Sequence, residues 1–210
     1  MAYNEEEMDR RNLHRLIAYS DAVYAIVLTL LILEISVPVL KDAGSKEEML
    51  QHLSAMGPKI LAFLLSFFIV SNWWAGYFFV FKFVRKTDQV MVWLNNFTLL
   101  CICVMPFLTA LIGEYPQNSV GVFLFGSVQA LNATSMGIMS KYILRKNYED
   151  PLFDLDVIRK LTKYNWATPI VFLLFAGIAF LNTIVSLLVF FGVFLFWAMV
   201  IMKIQFKPKV

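Results

Sequence analysis

Charge is scarce in this chain. Only 16% of its 210 residues are Asp, Glu, Lys or Arg, while 60% are hydrophobic and 20 are phenylalanine. Soluble globular domains run to about 25% charged and about 45–50% apolar, so the balance excludes one and points to an integral membrane protein. The net charge of +3 is small, and no basic cluster suggests a nucleic-acid groove. Cysteine is nearly absent. Cys101 and Cys103 stand two residues apart in one apolar stretch, which points them to different sides of a helix and disfavours a disulfide or a metal site. The sequence also lacks a Gly-rich phosphate loop and any Ser/His/Asp set placed together, so it carries no sign of an enzyme or of a bound cofactor. With no internal repeat or low-complexity tract, residues 1–210 read as one transmembrane domain.

Long hydrophobic runs fill the space that charge leaves. A membrane-spanning helix needs about 20 mostly apolar residues, and six stretches qualify, at about 17–38, 58–81, 90–112, 119–143, 165–182 and 184–203. The last two come from one uncharged run, Ala167 to Met202, divided at Asn182-Thr183. The segment before the first span, Glu5 to Arg15, is of mixed charge and lacks a small-residue cleavage site, so the span reads as a retained helix.

Six crossings place both ends on one side of the membrane. In that arrangement fifteen of the 18 Lys and Arg residues share the side of the termini, and only Lys41, Lys46 and Lys59 lie opposite. Basic residues favour the cytoplasm, so both termini are expected there. His14 and His52 then fall on opposite faces and cannot share a metal.

Within the first span two features concern function. Arg15, Tyr19, Ser20 and Asp21 cluster at its cytoplasmic end, and a carboxylate about one turn inside an apolar helix is costly unless it has a partner. Further along, Ile26, Thr29, Leu30 and Leu33 fall at i, i+3, i+4 and i+7, one helical face. That face can pack against neighbouring helices. Alternatively, in a bundle of subunits it can line a central axis, where aliphatic rings gate by dewetting and oxygen rings replace ion hydration.

The run Arg15-x-x-x-Tyr19-Ser20-Asp21, followed by Ala-Val-Tyr-Ala-Ile-x-x-Thr-Leu-Leu-x-Leu-Glu and Val37-Pro38, resembles the first helix of the transmembrane protein 175 family. A second stretch, from Trp93-Leu-Asn95 through Met105-Pro-Phe-Leu-Thr-Ala-Leu-Ile-Gly-Glu-Tyr115, is similar to that family's third helix and its exit loop. The resemblance implies a potassium channel: an all-α membrane protein with six helices per subunit, assembled as a homotetramer with helix 1 around the pore. It implies that Ile26, Leu30 and Leu33 form the apolar constriction. Thr29 becomes the level of cation selection and the place of a transient K+, with no resident metal or cofactor. Arg15, Tyr19, Ser20 and Asp21 match the signature cluster that ties helix 1 to its neighbours, and Asn95 and Trp74 are its expected partners. The family usually has phenylalanine where this chain has Tyr19. It also has Trp-x-x-His where this chain has Trp74-x-x-Tyr77, so an imidazole that titrates near neutral pH is replaced by a phenol.

The expected partners are further copies of the chain, lipid and monovalent cations, in a prokaryotic cell membrane. Two rivals stand beside the channel. A proton- or cation-coupled secondary transporter would use Asp21 during alternating access, although such proteins commonly show repeats and broken helices. A non-transporting scaffold would rest on the small residues Gly126, Ala130, Ala133 and Gly137 of the fourth span, whose spacing permits close helix approach. Glu34 can concentrate cations at the mouth, but reads better as an interfacial carboxylate bonded to nearby backbone, Lys41 or Lys59. Pro106 is expected to kink the third span.

Overall fold

A computed structural model describes the backbone of residues 5–82, 84–146 and 155–205, and the side chains of 7–82, 84–146 and 166–200. It is built of helices. They are α1 (Glu5–Leu30), which tightens into a 3-10 turn over Leu31–Glu34, then α2 (Lys46–Ala55), α3 (Gly57–Phe81), α4 (Gln89–Cys103), α5 (Met105–Glu114), α6 (Ser119–Lys146), α7 (Leu155–Ile178) and α8 (Thr183–Gln205). Five helical stretches among the described residues are long and apolar enough to cross a membrane, and Trp166–Ile178 is a shorter apolar segment. The chain is therefore a multi-pass membrane protein.

Several boundaries differ from the sequence expectation. The first span was expected to begin near residue 17 and to end at 38. Instead α1 begins at Glu5, and the helical backbone stops at Glu34. Hydropathy marks where a helix meets lipid, not where it begins. For the same reason α7 starts at Leu155, ahead of the expected 165. The polar stretch after Pro38 holds an unanticipated helix, α2. Ser45 caps it by accepting the amide of Glu48 at 3.2 Å. The Glu48 carboxylate in turn accepts the amides of Lys41 and Asp42 at 2.9 and 3.1 Å. Those bonds hold its carboxyl below the usual carboxylate range.

The third span is interrupted at Val104, with Pro106 in the first turn of α5. Proline has no amide to give the preceding turn, so the break falls just before it. The hairpin between the last two helices forms where Asn182 and Thr183 suggested: the Asn182 side chain accepts the amide of Val185 at 3.0 Å and caps α8.

Packing explains how the helices are arranged. α6 lies at the centre against α4, α5, α7 and α8, while α3 bridges α1, α5 and α8. Gly126, Ala130, Ala133 and Gly137 are all buried on α6. A Cβ at Gly126 would stand 2.5 Å from Phe190 Cζ and 2.7 Å from Ala176 Cβ, so only glycine lets α7 and α8 approach this closely. Cys101 is buried and Cys103 exposed, both as free thiols. Trp166 receives Lys141 over its ring at 5.6 Å; the side chain of Tyr164 lies outside the described residues, as do those of Arg159, Lys160, Lys163, Lys203, Lys207 and Lys209.

Candidate functional site

α1 carries two faces. Leu13, Leu16, Ser20, Tyr24, Val27 and Leu31 recur every three or four residues and are buried against α3, α4 and α5. The opposite face carries Ile26, Leu30 and Leu33, which are 57%, 41% and 72% exposed, and Thr29 is exposed with them. The protomer therefore does not cover this stripe itself. In the 3-10 turn side chains three apart eclipse one another, so Leu33 stacks along the axis in line with Leu30. The Thr29 hydroxyl donates to the carbonyl of Ile26 at 2.8 Å. Its one proton is thereby occupied, and it offers its surroundings oxygen lone pairs.

The polar cluster divides between these faces. Ser20 is fully buried, donates to the carbonyl of Leu16 at 2.9 Å and accepts from Asn95 Nδ2 on α4 at 2.9 Å. Asp21 is half-buried and accepts the indole N–H of Trp74 on α3 at 2.9 Å. These two bonds tie α1 to α3 and α4 and give the intramembrane carboxylate its partner. Tyr77 brings its hydroxyl near Ser20 and Asp21, but in no geometry that makes a hydrogen bond. Its ring packs between Tyr24 and Phe81, with centroids 5.8 and 4.2 Å away. At this position it is a core residue.

Arg15 and Tyr19 stand apart from the tie. Both are exposed, and they line an open groove with Asn12, Thr87, Gln89 and Asn96. Among the described residues Arg15 makes no ion pair. The reason is helical phase. Arg15 lies eleven residues before Ile26, about three turns, which leaves them within roughly 20° of each other. Arg15 and Tyr19 therefore extend the uncovered stripe toward the amino terminus, and Ser20, one residue on, turns inward.

Other cross-helix polar bonds escaped the sequence reading. Trp73 donates to Gln129 at 2.7 Å, Gln129 reaches Met105 Sδ at 3.1 Å, Thr98 and Ser135 share a bond at 2.7 Å, and Thr109 donates to Ser66 at 2.7 Å. Lone polar side chains inside apolar helices are the signal that marks them, since lipid offers no alternative partner. Glu34 and Glu114 also pair differently from expectation. Lys59 bonds Glu114 at 2.5 Å, while Glu34 stays exposed. Among the described residues no group of three His, Cys, Asp or Glu side chains is placed to hold a metal.

An all-helical, multi-pass protein with one polar-anchored helix turning an uncovered stripe outward has the makings of a membrane conduit rather than an enzyme pocket. Comparison with known proteins carries this to a family. Residues 15–106 match the family model described as endosomal/lysosomal potassium channel TMEM175. The chain is 30% identical over 152 residues to a potassium channel of Chryseobacterium sp. (strain P1-3), covering 71% of this chain and 74% of that one. It is 32% identical over 125 residues to a potassium channel of Streptomyces collinus, 59% of each chain, so the match spans less than two thirds of that relative's length. Its fold superposes on the crystal structure of a lysosomal potassium-selective channel TMEM175 homolog from Chamaesiphon minutus with a TM-score of 0.81 and 27% identity, covering 91% of this chain and 98% of the other. The chain belongs to the TMEM175 family, a family of ion channels.

Proposed function

We propose that the protein is a potassium-favouring cation channel in a prokaryotic cell membrane, a homotetramer of six-span subunits whose pore is lined by four copies of α1. The observation that carries this reading is the uncovered stripe of Ile26, Thr29, Leu30 and Leu33 on a helix whose other face is fully packed. An exposed aliphatic stripe faces lipid in a monomer. Around a symmetry axis it becomes stacked hydrophobic rings, which a hydrated ion crosses only when they widen or wet. Thr29, with its proton engaged by Ile26, would present four oxygens at one level to a dehydrating cation. Both termini would be cytoplasmic, consistent with the bias of basic residues.

The transporter alternative needs an Asp21 free to bind and release its ion. The Trp74 bond to that carboxylate weighs against it and supports a structural role. Conduction is tested by recording purified protein in planar bilayers with potassium on one side and sodium on the other. Unitary currents reversing toward the potassium equilibrium potential are the expected result. Slow flux that stops when a second ion is withdrawn would establish the transporter instead.

A further inference from the structure

The side of the protomer away from α1 holds a groove that the channel reading leaves unused. α7 and α8 pack on α6, on α3 and on each other, whereas α1 rests on α3, α4 and α5. Between α7 and α8 an apolar groove opens beside Gly192, and it runs past Thr168, Val193 and Trp197 into a cavity bounded by Asn72 and Gly76 of α3. Two glycines keep it open: a Cβ added at Gly192 or at Gly76 would meet nothing within 4 Å. This differs from Gly126, where the missing side chain is replaced by a neighbour's atoms.

The groove's depth and its charge identify what fills it. It lies between α8, long and apolar enough to cross a membrane, and the apolar Trp166–Ile178 stretch of α7, so an apolar chain is the medium it meets. The lining is almost wholly apolar, with Asn72 inside; that amide makes no hydrogen bond with another described residue and can meet a carbonyl. At the Thr168–Trp197 end, Lys141 stands over Trp166, two residues from Thr168. An aromatic and basic rim above an apolar slot matches a lipid with a negative head.

We infer that the α7–α8 groove is a binding site for an anionic phospholipid, one acyl chain seated between Gly192 and Gly76 and the head group beside Lys141. The site is independent of conduction and stands whether or not α1 lines a pore.

The test uses the full chain in phosphatidylcholine vesicles doped with phosphatidylglycerol or phosphatidylcholine carrying a diazirine on one acyl chain, followed by irradiation and peptide mass spectrometry. Label is expected on the peptides spanning Thr168 and Gly192–Trp197. Phosphatidylglycerol should be favoured by about fivefold for one nearby lysine. Gly192→Leu should lose that label while its melting temperature stays at the wild-type value, and Lys141→Gln should keep the label but lose the head-group preference. If Gly192→Leu is unstable, Gly76→Leu fills the inner end and should give the same loss. No label in the groove, label that survives both filled variants, equal labelling by the two lipids, or a Val193→Cys disulfide between two copies would each overturn the proposal.

Discussion

Trp74 on α3 donates its indole N–H to the Asp21 carboxylate on α1 across 2.9 Å, and one residue earlier Ser20 accepts from Asn95 on α4 at the same distance. Adjacent side chains of α1 thus grip two different helices. The following expectations test this anchor, the packing around it and the stripe it orients.

Trp74→Phe keeps the ring but removes the donor. Hydrogen bonds to charged groups contribute about 1.5–3 kcal/mol, and those inside membranes average nearer ~0.6 kcal/mol. Because Trp74 and Asp21 are only partly buried, we expect a loss of about 1 kcal/mol. Reversible unfolding in mixed micelles reads it, and a double-mutant cycle with Asp21→Asn should show coupling between the pair. Additive effects would mean the bond does nothing for stability.

Ser20→Ala should cost more than Asn95→Leu. The alanine strands a buried amide donor, worth about 1–3 kcal/mol. The leucine instead removes the whole amide and leaves Ser20 its bond to the carbonyl of Leu16. The order of the two unfolding midpoints decides the matter.

Gly126→Ala drives a methyl group into Phe190 and Ala176. Overpacking of this kind costs about 1–3 kcal/mol. A smaller residue at 190 relieves only the ring contact, so Phe190→Leu should rescue the variant in part. Full rescue would show that Ala176 yields.

For conduction, Leu30→Ala should raise unitary conductance or leak, because one ring of the proposed constriction is widened. Thr29→Ala should move the reversal potential in mixed potassium and sodium toward that of a non-selective pore. Bilayer recordings of both variants supply the answer, and currents identical to wild type would place constriction and selection elsewhere.

The loop ahead of α2 should be sensitive to acid. The amides of Lys41 and Asp42 lower the Glu48 pKa on folding. The stabilisation is thus fully present above the unfolded carboxylate range and disappears as pH falls through the lower folded value. Hydrogen exchange at Lys41 and Asp42, corrected for intrinsic rates, should lose protection as pH falls through that lowered value. Glu48→Gln should abolish that dependence on pH.

The apolar runs made the helices legible, because lipid demands length and continuity that few other sequences show. Asn95 could be linked to the signature run because a polar group in a span needs a partner, whereas Trp74 was linked to it only through the family resemblance. Their actual pairing, Asn95 with Ser20 and Trp74 with Asp21, depends on helix phase and crossing that one span cannot specify. The same limit hid the division within the cluster. Arg15 and Tyr19 share the motif with Ser20 and Asp21 yet sit on the exposed face, since contiguous residues are spread around a helix by about 100° per step. α2 was missed for a different reason. It is short and polar, and its stability rests on a cap and on carboxylate–amide bonds to residues 41 and 42, which hydropathy does not register.

The uneven distribution of ties along α1 has a mechanical corollary. Directional bonds hold it at Ser20 and Asp21, whereas beyond Tyr24 the described residues give it no hydrogen bond to another helix, Thr29 bonding only to its own backbone. Van der Waals contacts are individually weak and set no preferred direction, while hydrogen bonds weaken steeply once misaligned. The helix is pegged at Ser20 and Asp21 and greased toward its tip, so thermal displacement should grow from Asp21 toward Glu34.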